Sequence, residues 1–276
     1  MSYRKACDLM TAGSSVVKLT AKTALKGNWL KNIIASATVI FSYLIFQISA
    51  GYIASISNDA AAYIFLILSG IFVLSPLILG IVRYFWRFIC GAEDDTVTVF
   101  YYFSGKSLYF RALHLTLSLF LRALGFGVLL FAPSIITDIF SGVKIYDMLN
   151  IPIPMWTSNL YYASVFLKTI AAVILLFVMA RYYLAPVLTV ADEKMDIAEA
   201  VHMSCIVSRM TLLDFICFIF SFLGWFIISV LVFPLIFVMP YFLTSYCVHS
   251  RFAVAEYNKR IEKMGQSSFP SFAAGI

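Results

Sequence analysis

Apolar residues in this chain fall in long blocks rather than short alternating runs. The longest, Leu212 to Tyr246, contains almost no polar interruption before Thr244 apart from Asp214 and isolated serines. A helix needs about 20 apolar residues to cross a bilayer's hydrocarbon, so this block suffices for two crossings. Pro234 near its middle marks the turn. Asp214 stands at one end, and His249 and Arg251 at the other. The same theme repeats upstream. The pattern predicts an all-α polytopic membrane protein with six transmembrane helices, near 32–54, 61–82, 112–140, 160–184, 212–232 and 235–250. They pair as three hairpins in a single membrane domain over 1–276.

Polar punctuation sets the turns. Asn58 and Asp59 separate the first two blocks, and Glu93, Asp94 and Asp95 follow the second. A longer loop, 141–159, carries Pro152 and Pro154, and Asp192, Glu193 and Lys194 follow the fourth block. Pro76 and Gly80 predict a bend in the second span. Gly125, Gly127 and Pro133 weaken the third. The β-branched residues of 97–103 argue weakly for helix there.

Between the apolar blocks lie amphipathic segments. Residues 1–31 read as a cytoplasmic amphipathic helix over 3–28, with Ala6, Leu9, Met10, Val17, Ala21 and Ala24 at helical spacing. Lys18, Lys22 and Lys26, four apart, line one face. That face either meets lipid headgroups, at about 1 kcal/mol per basic residue near an anionic surface, or is an ordinary solvated face. Asp196 and Glu199 resemble a capping box opening a helix to about Arg209. Each hairpin is thus preceded by a cytoplasmic surface helix.

Composition agrees with this picture. The chain is 62% hydrophobic and 12% charged, where a soluble domain carries about 25% charged residues. The net charge of +6 reads as basic cytoplasmic loops rather than nucleic-acid binding, because Lys144 is the sole basic residue of the outer loops. With both termini cytoplasmic, nearly every Lys and Arg is inside. Residues 251–276 form a basic cytoplasmic tail. No cleavable signal is expected at the start, and the five cysteines, with no CxxC pair, read as free thiols.

An internal repeat is visible at the inner loops. Arg83-Tyr84-Phe85 matches Arg181-Tyr182-Tyr183, Ala92-Glu93-Asp94 matches Ala191-Asp192-Glu193, and Ser104 matches Ser204. Leu124-Gly125-Phe126 matches Leu223-Gly224-Trp225. The offset stays near-constant, at about a hundred residues. The N-terminal helix and first hairpin form a looser third copy.

Chemistry-bearing motifs are sparse. There is no HExxH, P-loop or GxSxG, and His114, His202 and His249 are far apart. Glu199-Ala-Val-His202 has the spacing of half a di-iron site, but its required partners cannot be placed, so neither metal nor cofactor is expected. The candidates that remain are charges inside spans. Arg122 lies well within the third span and is expected to point into the bundle, toward Asp138, Asp214 or a carbonyl freed near Pro133 or Pro234. Lys168, about two turns into the fourth span, is expected to snorkel outward. Intramembrane charges are costly and often functional.

Two regions resemble a bacterial family of uncharacterised integral membrane proteins known as domain of unknown function 975. The first is Leu25-Lys26-Gly27-Asn28-Trp29. The second comprises Glu199-Ala200, Ser204, Ser221-Phe222-Leu223-Gly224-Trp225, Pro240-Tyr241 and Thr244. With the span pattern, the resemblance covers most of the chain, though its motifs are apolar and structural. It implies the cytoplasmic membrane of a Gram-positive bacterium. It also implies a distant likeness to the membrane part of glycerophosphodiester phosphodiesterases, without their catalytic domain, and supplies no site residues.

The resulting expectation is a non-catalytic membrane scaffold or accessory subunit that binds membrane lipids, a membrane protein partner or a second copy of itself. A small transporter or channel using Arg122 is the alternative, and a lipid-modifying enzyme ranks third.

Overall fold

The computed structural model describes residues 13–57, 59–141, 155–229 and 234–263. The expected helix before Gly13, Asn58, Lys144 with most of its loop, and the tail beyond Lys263 lie outside these. Every regular element among the described residues is helical. Among the described residues five helical stretches are long and apolar enough to cross a membrane: Trp29–Ile56, Asp59–Ile89, Lys106–Ile139, Asn159–Ala191 and Ile197–Phe220. The chain divides into two compact units, Met1–Thr116 with Tyr183–Ile276, and Leu117–Tyr182.

The larger unit begins with α1 (Ser14–Leu25), whose Val17, Ala21 and Leu25 are fully buried. Gly27 takes φ +91°, a conformation cheap only for glycine, and turns the chain into α2 (Trp29–Ile56). The helix therefore ends sooner than expected. Lys26 is its extended C-cap, so Lys26 leaves the face it was expected to share with Lys18 and Lys22.

Next come α3 (Asp59–Ser69), a π-helical turn at Gly70–Leu74, and α4 (Ser75–Ile89). Pro76, expected with Gly80 to allow a bend, comes just after this π turn. A proline inside a helix lacks an N–H and crowds the carbonyl four residues back, here Phe72. That carbonyl accepts a hydrogen bond from the Tyr109 hydroxyl at 2.9 Å. Gly80 plays a different part. A Cβ there would lie 1.9 Å from the Val99 carbonyl oxygen. The glycine lets the backbone of a 3-10 helix, Thr96–Phe103, lie directly on α4. That short helix is what the β-branched segment forms, started by Asp95, whose carboxylate accepts from Thr96 N at 2.9 Å.

α5 (Lys106–Ser141) runs through Gly125, Gly127 and Pro133 without a break, and α6 (Met155–Ala180) follows. The smaller unit contains α5 from Leu117 onward and all of α6. After a turn come α7 (Ala185–Ala191), α8 (Ile197–Phe220), α9 (Leu223–Ser229) and α10 (Leu235–Lys263). Within the larger unit α10 packs against α1, α2 and α4, and α4 also packs on α7. The core joins Val17, Ala35, Phe85, Phe218, Phe222 and Val248.

The expected fifth span, 212–232, is interrupted rather than continuous. α8 ends at Phe220, and Phe222 is fully buried in the core. Its packing holds the chain in a turn before α9 starts. Lys18 Nζ donates to the Ser221 carbonyl at 2.5 Å, satisfying one of the acceptors that a helix end leaves open.

Candidate functional site

Three groups of polar side chains stand out, two in the larger unit and one in the smaller. The first surrounds the turn between α7 and α8. Arg111, on the second turn of α5, reaches into this turn. It donates from Nη1 to the Glu193 carbonyl at 2.7 Å, and from Nη2 to those of Asp192 at 2.9 Å and Met195 at 2.7 Å. The Thr189 carbonyl lies 3.4 Å from Nη2. One guanidinium thus caps α7, where cations are favoured by the helix dipole, and staples the chain that follows.

Glu193 is the hub of this group. Its carboxylate accepts from Arg83 Nη1 and from the Tyr101 hydroxyl at 3.3 Å. Arg83 is 8% exposed and lies over the Tyr101 ring, 3.6 Å from its centroid. Beside it Tyr102 is 1% exposed, and burial pushes its hydroxyl up to about 12. The sequence marked Asp192 and Glu193 only as polar punctuation and as a repeat landmark. The role of Glu193 as a hub depends on Arg83, Tyr101 and Arg111, all distant in the chain.

Along this turn runs a cleft of about 480 Å³. Ser107, Leu108, Phe110, Arg111 and His114 of α5 line one side, with Glu193, Asp196 and Ile197 opposite. Asp196 is the N-cap of α8, but its carboxylate makes no capping hydrogen bond. His114 and Asp196 are both exposed and, among the described residues, have no side-chain hydrogen bond or ion pair. The cleft therefore combines anchored charges with two uncommitted polar groups and an apolar lining. No group of three or more His, Cys, Asp or Glu placed to hold a metal occurs among the described residues.

The second group is at α1. Lys18, one of the expected headgroup lysines, turns inward. Besides its bond to Ser221, its ammonium lies 4.4 Å from the Phe222 ring centroid, and burial lowers its pKa from the ordinary lysine value. Lys22 and Lys26 are exposed. The apolar face of α1 is occupied by protein, not left open.

The third group belongs to the smaller unit. Lys168 Nζ donates to Asp138 at 2.5 Å, and Ser164 donates to the same carboxylate. Ser164 also lies 3.3 Å from the Ser134 carbonyl. Ser134, Ser164 and Ala171 are buried, and small residues of this kind let two helices approach closely. Arg122 donates to the carbonyl and hydroxyl of Ser118, one turn back, and lies 5.8 Å from the Tyr182 ring centroid. Of the partners expected for Arg122, which were Asp138, Asp214 or a freed carbonyl, Asp138 instead binds Lys168.

These contacts fix the register of α5 against α6. Arg122 is level with Tyr182, and Asp138 with Lys168. At about 1.5 Å per residue, Arg122 to Asp138 spans about 24 Å and Lys168 to Tyr182 about 21 Å. Arg122 is too far from Asp138 to pair with it, and it lies at the level of the Arg181–Tyr182 turn. No protein-family model, curated protein or solved structure matches this chain.

Proposed function

We propose that this protein is a non-catalytic integral membrane scaffold, or accessory subunit, that binds membrane lipids or a membrane partner. Its helices form three hairpins of two spans, each preceded by an amphipathic helix, with both termini cytoplasmic. The resemblance to the bacterial membrane family fits this reading. α1, the first turns of α5, and α8 as far as about Arg209 are these surface helices. Each leads into a span at a related motif: Gly27-Asn28-Trp29, Leu124-Gly125-Phe126 and Leu223-Gly224-Trp225.

The hairpin register supports a membrane boundary near Arg122 and Arg181. A hydrocarbon core is about 30 Å thick, so Asp138 and Lys168 then lie toward the opposite interface. Both charged levels sit near water or headgroups, where they cost least. This argues against the transporter alternative, because Arg122 is committed to Ser118 and Tyr182 near one interface.

One observation carries the scaffold reading. Two guanidinium groups of the larger unit are spent on its own structure, Arg111 on the carbonyls of the α7–α8 turn and Arg83 on Glu193, while long apolar helix faces stay open. Such a molecule is built to hold its shape and to be covered. Native mass spectrometry of the gently solubilised full chain should find retained lipid or a partner protein. A bare chain, together with substrate-dependent flux in liposomes, would replace this reading with the transporter.

A further inference from the structure

We propose that the cleft between the start of α5 and the α7–α8 turn binds the headgroup of a phosphoethanolamine lipid, with its phosphate beside Arg111 and His114 and its ammonium at Asp196. The inference rests on the lipid-binding reading above and names the lipid class.

Charge balance selects the ligand. Around the cleft stand two guanidinium groups, Arg83 and Arg111, and two carboxylates, Glu193 and Asp196. Glu193 is matched by Arg83. Among the described residues Arg111 is hydrogen-bonded only to neutral carbonyls and makes no ion pair. Among the same residues Asp196, across the cleft, has no cationic partner. A simple anion would be drawn to Arg111 but repelled by Asp196, and a simple cation the reverse. A zwitterion satisfies both.

Geometry adds to this. Arg111 and His114 are three apart on α5, so they share a face, and His114 can donate to a phosphate oxygen beside the guanidinium. A primary ammonium offers N–H donors to the Asp196 carboxylate, and charge-assisted bonds of this kind are the strong ones. A quaternary ammonium has no N–H to give. The wall opposite α5 is held in place by Arg111, so little ordering is required on binding. Leu108 and the exposed Phe110 give the cleft apolar surface against which the start of an acyl chain can lie. That surface favours a lipid over a free headgroup.

The test uses the purified full chain in nanodiscs of phosphatidylcholine doped equally with phosphatidylethanolamine and phosphatidylglycerol, with retained lipids counted by native mass spectrometry. The wild type should retain the ethanolamine lipid about tenfold over either of the others. Asp196→Asn should reduce that preference about tenfold, and His114→Leu should lower retention of all three lipids without changing their order, while Glu199→Gln, an exposed acid on the first turn of α8 outside the cleft lining, should leave the preference intact. In a second arm, soluble glycerophosphoethanolamine should be retained at least tenfold more weakly than the lipid. Lipids retained without headgroup preference, or a preference unchanged in Asp196→Asn, would overturn this inference and leave the scaffold reading standing. Equal retention of the soluble headgroup would overturn the lipid assignment. Retention of no lipid at all would remove the lipid-binding reading with it.

Discussion

The two units handle charge in opposite ways. In the larger one, Arg83 is almost wholly buried, and its carboxylate partner is held by a tyrosine as well. Arg111 gives its donors to a run of backbone carbonyls. In the smaller one, the Lys168 and Asp138 side chains remain 41% and 36% exposed, and Arg122 leans on its own helix. A charge surrounded by protein is fixed by geometry. A half-exposed charge on a pair of helices answers to the medium around it as much as to its partner. The larger unit should therefore lose stability steeply when a contact is cut, and the smaller one gently.

The steepest loss should come from Gly80→Ala, because the new Cβ would collide with the Val99 carbonyl and push the 3-10 helix off α4. Overpacking of this kind costs about 3 kcal/mol, read as a lower unfolding midpoint of the purified chain in detergent. A variant as stable as wild type would mean that the close approach is not a feature of the fold.

Glu193→Gln should come next. It strands the buried Arg83 guanidinium, and breaking a fully buried pair costs about 3–5 kcal/mol. Because Glu193 is 44% exposed, water compensates part of that, and about 2 kcal/mol is expected. Arg83→Met with Glu193→Gln should recover part of the loss, since no buried charge is then left unpaired.

In the smaller unit, Asp138→Asn or Lys168→Gln should cost about 1 kcal/mol each, as a half-exposed pair allows. A double-mutant cycle should show coupling between them. Exchanging the charges, Asp138→Lys with Lys168→Asp, should restore most of the stability. The smallest effect is expected for Arg122→Leu, about 0.5 kcal/mol, since a distant ring contact and one same-helix serine are all it loses. A larger loss for Arg122→Leu than for Lys168→Gln would reverse the comparison and restore the order that sequence alone suggested.

That reversal shows what the sequence could not carry. Helical blocks, their approximate ends and the punctuating acids were legible from hydropathy, because lipid-scale apolarity needs no partner to be recognised. The α1 core face, Val17 and Ala21, was legible from spacing. The register of α5 against α6 was not, because it rests on which residue of α6 faces Asp138; Arg122, about 24 Å from Asp138 along the same helix, cannot reach it at any register. The interruption at Ser221–Phe222 was equally hidden. It depends on the burial of Phe222 and is capped by Lys18, 203 residues away in the chain. Of the cleft, the acids near Asp192 and the capping position of Asp196 were visible, but not their meeting with His114.

Depth measurement tests the register and its membrane placement together. Single nitroxide labels at Arg122→Cys, Ala132→Cys and Ile139→Cys, on a chain cleared of its native cysteines and reconstituted in bilayers, can be ranked by collision with oxygen and with a polar nickel chelate. About 15 Å of helix separates Arg122 from Ala132, and about 10 Å separates Ala132 from Ile139. The account expects label 132 to be the deepest, with 122 and 139 each close to an interface. A label at 122 deeper than the one at 132 would place Arg122 in the middle of the bilayer and contradict it.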